Sequence, residues 1–336
     1  MNNPVAGADL TAHRIYTPQT LGGLIAKQGA QQWVVEDVFG RESFNVLVGD
    51  SGLGKTPLAV QLAACVVTGT PWLGLQVSHT GPALYLNGEM PAAELLSQWN
   101  AVCAHIGHPG LREGFYVHNP EWGHRSEGCV WTLSDLQRTV ELVKPALIIV
   151  DPLRVFFPQA ETDTLAFDQL RKWARATNSC VVCLHHRRKH DQVNGTVSLQ
   201  EDPREWLQET SGLSHIINLT DARLGVESPR DKAMGDLVVA GFLRARGVMD
   251  PLYVARAFDD DGAPVGYTVQ RGLDYVSTKA HDLYGAMGTT FRFTDAKRAM
   301  GGTSDSATKK ALDELLRAGM LVKVPEKGGY RKKPVS

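Results

Sequence analysis

No stretch of the 336-residue sequence is apolar for long enough to cross a bilayer, and its first residues have neither the basic nor the apolar part of a signal peptide. Neither sign of charge is in excess, because 35 Lys and Arg face 36 Asp and Glu. A global electrostatic field therefore cannot draw the chain onto nucleic acid, and any such binding needs a local patch. The five cysteines are an odd number and are scattered, which predicts reduced thiols. We expect a cytoplasmic protein that does not enter a membrane.

The strongest motif lies between residues 44 and 62, where an apolar run passes through glycines into a helical pattern. The sequence matches G-x-x-x-x-G-K-[ST] at every defined position, in the strand-to-helix context that this motif requires. Backbone N–H groups of such a loop surround phosphates, its lysine lies against the β- and γ-phosphates, and its hydroxyl ligates Mg²⁺. The alternative is a glycine-rich turn that happens to precede a helix. The motif predicts a site for ATP and Mg²⁺ formed by Gly49, Asp50, Ser51, Gly52, Leu53, Gly54, Lys55 and Thr56.

Two carboxylates follow predicted strands. Residues 83–87 predict a strand, and Glu89 comes just after it. In that position a carboxylate can orient and deprotonate the attacking water, although a lone Glu at a strand end can also be a solvated cap. Residues 146–151 are apolar up to Asp151, which is typical of a strand buried on both faces. We expect Asp151 to hold Mg²⁺ through water.

A further apolar strand, 180–184, runs into a polar and basic segment. Its cysteines and histidines invite a zinc interpretation, but residues three apart in a strand face opposite sides, so Cys180 and Cys183 cannot converge on one ion. We therefore reject zinc. The alternative is a polar residue at the strand end that senses the γ-phosphate, followed by basic residues that open a loop toward DNA. These candidates are His186, Arg187, Arg188 and Lys189, and the polar stretch 191–206 after them predicts a mobile loop.

Strands and helices alternate from residue 33 to about 250, which predicts an α/β fold with a mostly parallel sheet flanked by helices. The remaining predicted strands are 33–39, 114–118, 214–219 and 236–243, with a hairpin around the turn 259–262. Helices are predicted at 91–106, 132–143 and 164–177. We divide the chain into an arm or linker (1–30), an ATPase domain (31–272) and a small C-terminal domain (273–336).

The C-terminal domain has a different pattern. Helices are predicted at 278–287, 294–300 and 304–318, followed by strands at 320–324 and 330–333. Three helices and a β-ribbon are the order of a winged helix, a variant of the helix-turn-helix. From residue 275 onward twelve Lys and Arg stand against six Asp and Glu, a net charge of +6. Such a local basic module predicts DNA contact, and the alternative is a protein-docking module.

The order of these motifs over residues 30–265 resembles the RecA-like ATPase core, and within it the plasmid RepA-type hexameric replicative helicases, relatives of DnaB. The resemblance implies that Glu89 is the catalytic glutamate and Asp151 the Mg²⁺-associated aspartate. It places an arginine after this aspartate at Arg154, and it implies that His186 couples the nucleotide state to the DNA loop. Residues that would reach a neighbouring subunit's nucleotide are an arginine finger and a basic pair, namely Arg223, Arg244 and Arg246.

The family implies a ring, usually of six subunits, with ATP between subunits and single-stranded DNA in the channel. The leading hypothesis is therefore an oligomeric ATPase that translocates on single-stranded DNA in plasmid or phage replication. The second is a RecA-like DNA-binding ATPase that serves as a regulator, loader or recombination accessory without unwinding. The third, a nucleotide-bound scaffold without catalysis, disagrees with the intact Lys55, Thr56, Glu89 and Asp151. Two departures from the family are the long loop after His186 and the added C-terminal domain.

Overall fold

The structure is a computed structural model, and it describes residues 20, 22–23, 32–119, 133–187, 197–210, 214–229, 235–244, 247–270, 276–324 and 329–332. Apart from three residues, the predicted arm 1–30 lies outside this description. So do three candidate site residues, Arg188, Lys189 and Arg246. Among the described residues, no helix is both long enough and apolar enough to span a membrane.

A small hairpin of β1 (Trp33–Val35) and β2 (Phe39–Gly40) precedes a nine-stranded sheet in the order β11-β10-β9-β8-β3-β7-β6-β4-β5. Six neighbouring strands of this sheet are parallel, and β9 to β11 continue it as antiparallel strands. The predicted α/β class is confirmed. The parallel strands are β3 (Ser43–Gly49), β4 (Ala83–Asn87), β5 (Phe115–His118), β6 (Leu147–Asp151), β7 (Cys180–His186) and β8 (Ala222–Glu227), and the antiparallel ones are β9 (Leu237–Leu243), β10 (Gly247–Phe258) and β11 (Pro264–Val269).

Helices cover both faces of the sheet and divide its apolar side chains between two cores. Strands buried on both faces are apolar at nearly every position, which explains the continuous runs in β3, β6 and β7. Cys180 belongs to one core and Cys183 to the other, so the alternation predicted for them is confirmed. The helices are α1 (Lys55–Thr68), α2 (Ala92–His105), α3 (Leu133–Val143), α4 (Leu153–Phe156), α5 (Pro158–Thr162), α6 (Thr164–Ala176), α7 (Pro203–Thr210) and α8 (Ser214–Leu219).

Two local predictions between residues 191 and 219 were wrong. The predicted strand 214–219 is helix α8, in which Ile216 and Ile217 are buried while Asn218 is exposed. A short apolar run fits either a strand or a buried helix, and tertiary packing decides between them. Residues 191–196 of the predicted loop lie outside the description, and its last residues are wrong because α7 begins at Pro203 and Trp206, 1% exposed, is part of the core.

The C-terminal part, from Val276 onward, has an apolar cluster of its own. The three predicted helices are confirmed as α9 (Thr278–Ala286), α10 (Phe293–Ala299) and α11 (Asp305–Arg317). Serine N-caps at 277 and 304 explain where α9 and α11 begin. An antiparallel sheet in the order β12-β14-β13 follows from β12 (Thr290–Arg292), which the sequence did not predict, β13 (Leu321–Val324) and β14 (Gly329–Lys332).

Candidate active site

The phosphate-binding candidate is the turn that joins β3 to α1. Gly52 and Gly54 have φ of 78° and 98°, left-handed values that favour glycine. Gly54 is the N-cap of α1 and provides no side-chain cap, so the first N–H groups of the helix are available to an anion. A Cβ at Gly49 would lie 2.8 Å from the Val226 carbonyl oxygen. Glycine is therefore needed at positions 52 and 54 for their backbone conformation, and at position 49 for the close approach of the Val226 main chain.

Lys55 points into the centre of this loop. Its side chain is only 6% exposed, and Nζ donates to the carbonyl oxygens of Gly49 and Asp50, each at 2.8 Å. Burial lowers the pKa of Lys55, while Asp151 and Asp50 act in the opposite direction. The ammonium group thus stands where the phosphates of a nucleotide would lie, held by main-chain oxygens.

The Thr56 hydroxyl and the Asp151 carboxylate meet beside Lys55. Thr56 Oγ1 donates to Asp151 Oδ2 at 2.7 Å, and Tyr85 OH donates to the same oxygen at 2.6 Å. Burial raises the pKa of Asp151, and these two hydrogen bonds oppose that rise. A hydroxyl and a carboxylate facing a phosphate loop are oxygen donors of the kind that Mg²⁺ prefers. The donor set therefore fits the predicted magnesium site.

Glu89 reaches the same edge of the sheet on a turn that follows β4. The buried Asn87 Oδ1 accepts from Met90 N at 3.0 Å, and Gly88 N donates to the Asp151 carbonyl at 2.8 Å, so the turn is fixed to β6. The Glu89 side chain is 52% exposed, and its Oε1 lies 3.9 Å from His186 Nε2. Its carboxylate is open to solvent beside the phosphate loop.

His186, at the end of β7, lies between Glu89 and Lys55. Lys55 Nζ lies 3.4 Å from His186 Nδ1, and since an ammonium group can only donate, that ring nitrogen must accept. Burial, and next the Lys55 charge, lower the pKa of His186. A neutral imidazole therefore connects the phosphate-side lysine with the candidate base.

The side chain of Arg187, the residue after His186, packs against Glu227 and Trp206. Its guanidinium lies 3.7 Å from Glu227 and stacks 4.9 Å from the centre of the Trp206 ring. Glu227 also accepts from Trp206 Nε1 at 2.9 Å and from Leu199 N at 2.8 Å. Glu227 thereby holds both Arg187, the residue after β7, and the main chain at Leu199. The sequence did not single out Glu227 or Trp206.

The hairpin β10–β11 also contacts the phosphate loop, which the sequence did not reveal. Arg256 Nη2 donates to the Leu53 carbonyl at 3.4 Å, and Tyr267 OH donates to the Gly54 carbonyl at 3.2 Å. These residues and Gln98 line a cavity of about 150 Å³ next to the loop. Arg256 Nε and Gln98 Oε1 are buried and have no hydrogen-bond partner among the described residues. Both side chains thus border the cavity, while these two polar atoms are themselves buried.

Arg223 and Arg244 lie away from the phosphate loop of their own chain. Arg223 is on β8 and pairs in register with Val46, three residues before Gly49. Its guanidinium donates to the carbonyls of Asn218 and Thr220 at 3.2 and 3.4 Å and stacks 5.3 Å from the Phe242 ring. Arg244, 50% exposed, forms an ion pair with Asp221 at 3.4 Å. The structure does not bring either arginine to the phosphate loop of its own chain.

A phosphate loop with a buried lysine, a hydroxyl–aspartate pair and a carboxylate on the next strand defines a P-loop ATPase domain. The family model described as an AAA domain matches residues 12–192, more than half of the chain, and the chain belongs to this family. Domains of this kind occur in RecA-like helicase families. The matched range ends shortly after β7, so the Arg223 region, the β10–β11 hairpin and the C-terminal part lie beyond it.

Proposed function

We propose that the protein is an oligomeric ATPase, a hexameric ring of the replicative helicase type from a plasmid or phage, that moves along single-stranded DNA. The observation that supports it best is the convergence of Lys55, Thr56, Asp151, Glu89 and His186 at one edge of the sheet. These side chains come from the ends of β4, β6 and β7 and from the start of α1. Parallel strands place their carboxyl ends together, where α/β proteins bind ligands.

ATP would replace the main-chain oxygens as the partner of Lys55, whose ammonium would then pair with the β- and γ-phosphates. Thr56 and Asp151 would hold Mg²⁺, which neutralises phosphate charge when it is bound. Glu89 would accept a proton from the attacking water at its exposed carboxylate. Because His186 contacts Lys55, it would transmit the loss or gain of the γ-phosphate to Arg187 and the residues that follow.

The cavity beside Gly54 is the proposed site of the nucleotide base. It combines the aliphatic side chains of Pro57 and Val102 with the polar side chains of Arg256 and Gln98. An adenine base bound there would lie against these side chains, next to the loop that would hold the phosphates.

Assembly would complete the site. We propose that Arg223, Arg244 and Arg246 act on a neighbouring subunit's nucleotide, which is consistent with the distance of the first two from their own loop. A finger supplied in trans makes hydrolysis depend on the ring. Single-stranded DNA would contact Arg188 and Lys189, since Arg187 is only 11% exposed and is held by Glu227.

The second candidate is a RecA-like ATPase that regulates, loads or assists recombination without unwinding. The basic C-terminal part favours it, since a winged helix that contacts duplex DNA or a protein is not needed for unwinding. The two candidates differ in whether ATP hydrolysis opens a forked DNA duplex.

The test measures ATPase rate with and without single-stranded DNA, on protein of measured oligomeric mass, together with opening of a forked duplex. Lys55→Ala should lower turnover by at least about 100-fold, because a positioned charge that meets the γ-phosphate is lost. Turnover close to wild type in that variant would disprove the nucleotide assignment. Stimulation by DNA without strand opening would favour the second candidate.

A further inference from the structure

Tyr85 is the buried polar side chain whose position calls for an explanation. It lies in the middle of β4, pairs in register with Ile149, and has no exposed surface. Phenylalanine would fill the same place against Phe115, whose ring centre lies 5.9 Å from that of Tyr85. A buried hydroxyl costs free energy unless it is hydrogen-bonded. The Tyr85 hydroxyl donates a hydrogen bond to Asp151 Oδ2.

This hydrogen bond makes the two oxygens of Asp151 unequal. Oδ2 accepts from Tyr85 at 2.6 Å and from Thr56 at 2.7 Å, while Oδ1 accepts no hydrogen bond from the described residues. Two donors occupy the lone-pair directions of Oδ2. The carboxylate is therefore fixed in rotation, and Oδ1 is left for a cation or for water bound to it.

We propose that Tyr85 is a positioning residue of the magnesium site, which directs Oδ1 of Asp151 toward the ion through the hydrogen bond to Oδ2. This inference rests on the proposed function. Groups behind a metal ligand orient it and hold its charged form, and their loss commonly weakens metal binding by about 10- to 100-fold. Burial raises the pKa of Tyr85 well above its ordinary value, so its phenol stays a donor.

The test is Tyr85→Phe, which keeps the ring and removes the donor. Mn²⁺ binding in the presence of ADP is measured by the loss of the free-ion electron paramagnetic resonance signal. We expect Mn²⁺ affinity to fall about 10-fold or more, while ADP affinity in EDTA stays that of wild type. The matched control is Tyr253→Phe on β10, since that hydroxyl lies 3.5 Å from Gln200 and outside the phosphate site.

A double-mutant cycle separates positioning from packing. If Tyr85 acts through Asp151, then Tyr85→Phe should change Mn²⁺ affinity little in an Asp151→Asn background. Should Tyr85→Phe melt below the assay temperature, Tyr85→Met fills the space without a donor and is measured instead. Unchanged Mn²⁺ affinity, or an equal loss in both backgrounds, would overturn the inference. Failure of the wild type to bind ADP would instead contradict the proposed function.

Discussion

One imidazole links the two ends of the candidate reaction centre. His186 accepts from Lys55 through Nδ1 and faces the Glu89 carboxylate through Nε2. Because its pKa is lowered, the ring is neutral near pH 7 and adds no charge next to Lys55. A phosphate that draws Lys55 away would therefore free Nδ1 and allow the ring to turn. Such a contact can transmit the nucleotide state without any large movement at the site itself.

Glu89→Gln tests the role of this carboxylate directly. The amide keeps the shape and removes the base, so we expect hydrolysis to fall by roughly 10²–10⁴-fold while ATP still binds. Single-turnover hydrolysis and binding of a fluorescent ATP analogue measure the two effects separately. Glu94→Gln, in the exposed first turn of α2, is the control for a change of charge near the site. If both variants hydrolyse ATP equally fast, Glu89 is only a strand-end cap.

His118 makes the fold sensitive to acid. Burial lowers its pKa to about 4, whereas in the unfolded chain the value is near 6.5. The unfolded state therefore takes up the proton first, so stability is lost as the pH falls from about 6.5 toward 4. We expect the Tm of His118→Gln to fall less between pH 7.5 and pH 5 than that of wild type. His281→Gln, at a side chain that is 57% exposed, is the control and should follow wild type.

At the scale of elements, one glutamine joins the P-loop helix to the edge of the sheet. Gln61 Nε2 donates to the Tyr267 carbonyl at 2.8 Å, and its Oε1 accepts from Tyr267 N at 2.7 Å. The main chain of the edge strand β11 is thereby paired with a side chain of α1. An exposed strand edge is a site for unwanted pairing, so this contact protects the edge as well as placing the hairpin beside Gly54.

Gln61→Leu should leave both main-chain groups of Tyr267 without their partner. We expect a loss of about 2 kcal/mol or more in the free energy of unfolding, together with weaker ATP binding because Tyr267 and Arg256 shift from the loop. Urea unfolding and nucleotide titration measure these effects. Gln159→Leu on the exposed surface of α5 should have neither. A destabilised variant that binds ATP as tightly as wild type would show that the hairpin does not form part of the nucleotide site.

The elements that the sequence predicts well are those whose surroundings are uniform. β3, β6 and β7 are buried on both faces, so each contains a run of at least three consecutive apolar residues that is visible without context. The phosphate loop is predictable because its glycines, Lys55 and Thr56 are local in sequence. Strand β8 was missed since Arg223, Gly225 and Glu227 interrupt its pattern, and only the neighbouring strands make it a strand.

Other parts of the site depend on contacts between residues that are far apart in the chain. Gln61 and Tyr267 are 206 residues apart, and Thr56 and Asp151 are 95 apart. Motif spacing could pair Thr56 with Asp151, because the chemistry of a phosphate loop requires both. No rule of that kind connects a glutamine in a helix with the main chain of an edge strand. Tyr85 was hidden for a related reason, since its ring also suits an ordinary buried strand position.

At the scale of the whole molecule, arginines from α6, α7, β8 and the end of β9 gather away from the phosphate site. Two of them form ion pairs with Asp221 and the other two lie over the Phe242 ring, so the positive charges outnumber that carboxylate. Arg223 is partly buried and held by main-chain oxygens, whereas Arg244 is half exposed. The group comprises Arg175, Arg204, Arg223 and Arg244. A surface of this kind suits a phosphate that another subunit presents.

Mixing subunits tests whether that surface acts in trans. Arg223→Ala subunits keep Glu89, and Glu89→Gln subunits keep Arg223, so a mixed interface can unite two intact halves. We expect each variant alone to be inactive and their mixtures to recover ATPase activity. Arg244→Ala, mixed in the same way, shows whether the more exposed arginine is the finger instead. If neither arginine variant regains ATPase activity with Glu89→Gln subunits at any mixing ratio, the neighbour does not supply the finger.

The C-terminal part has its own apolar cluster and a buried Glu314 that accepts from Ser277 N and Oγ at the start of α9. Its formation does not draw on side chains of the two ATPase cores. Removing residues 275–336 should therefore leave the ATPase fold intact. We expect this deletion to weaken duplex DNA binding more than it changes the ATPase rate, because the removed part carries a net charge of +6.

A charge reversal tests the same surface without removing it. Lys309 and Lys310 are both exposed on α11, and replacing both by Glu should weaken duplex binding and reduce the salt slope, log K against log[salt], by about 2. Arg138 and Lys172, 78% and 73% exposed on the ATPase part, give a control with the same change in charge when both become Glu. Equal losses in the two variants would mean that only net charge matters. If instead the reversal at Lys309 and Lys310 leaves duplex affinity and its salt dependence unchanged, the C-terminal part docks on protein, since a phosphate contact cannot survive reversal of the charge that makes it.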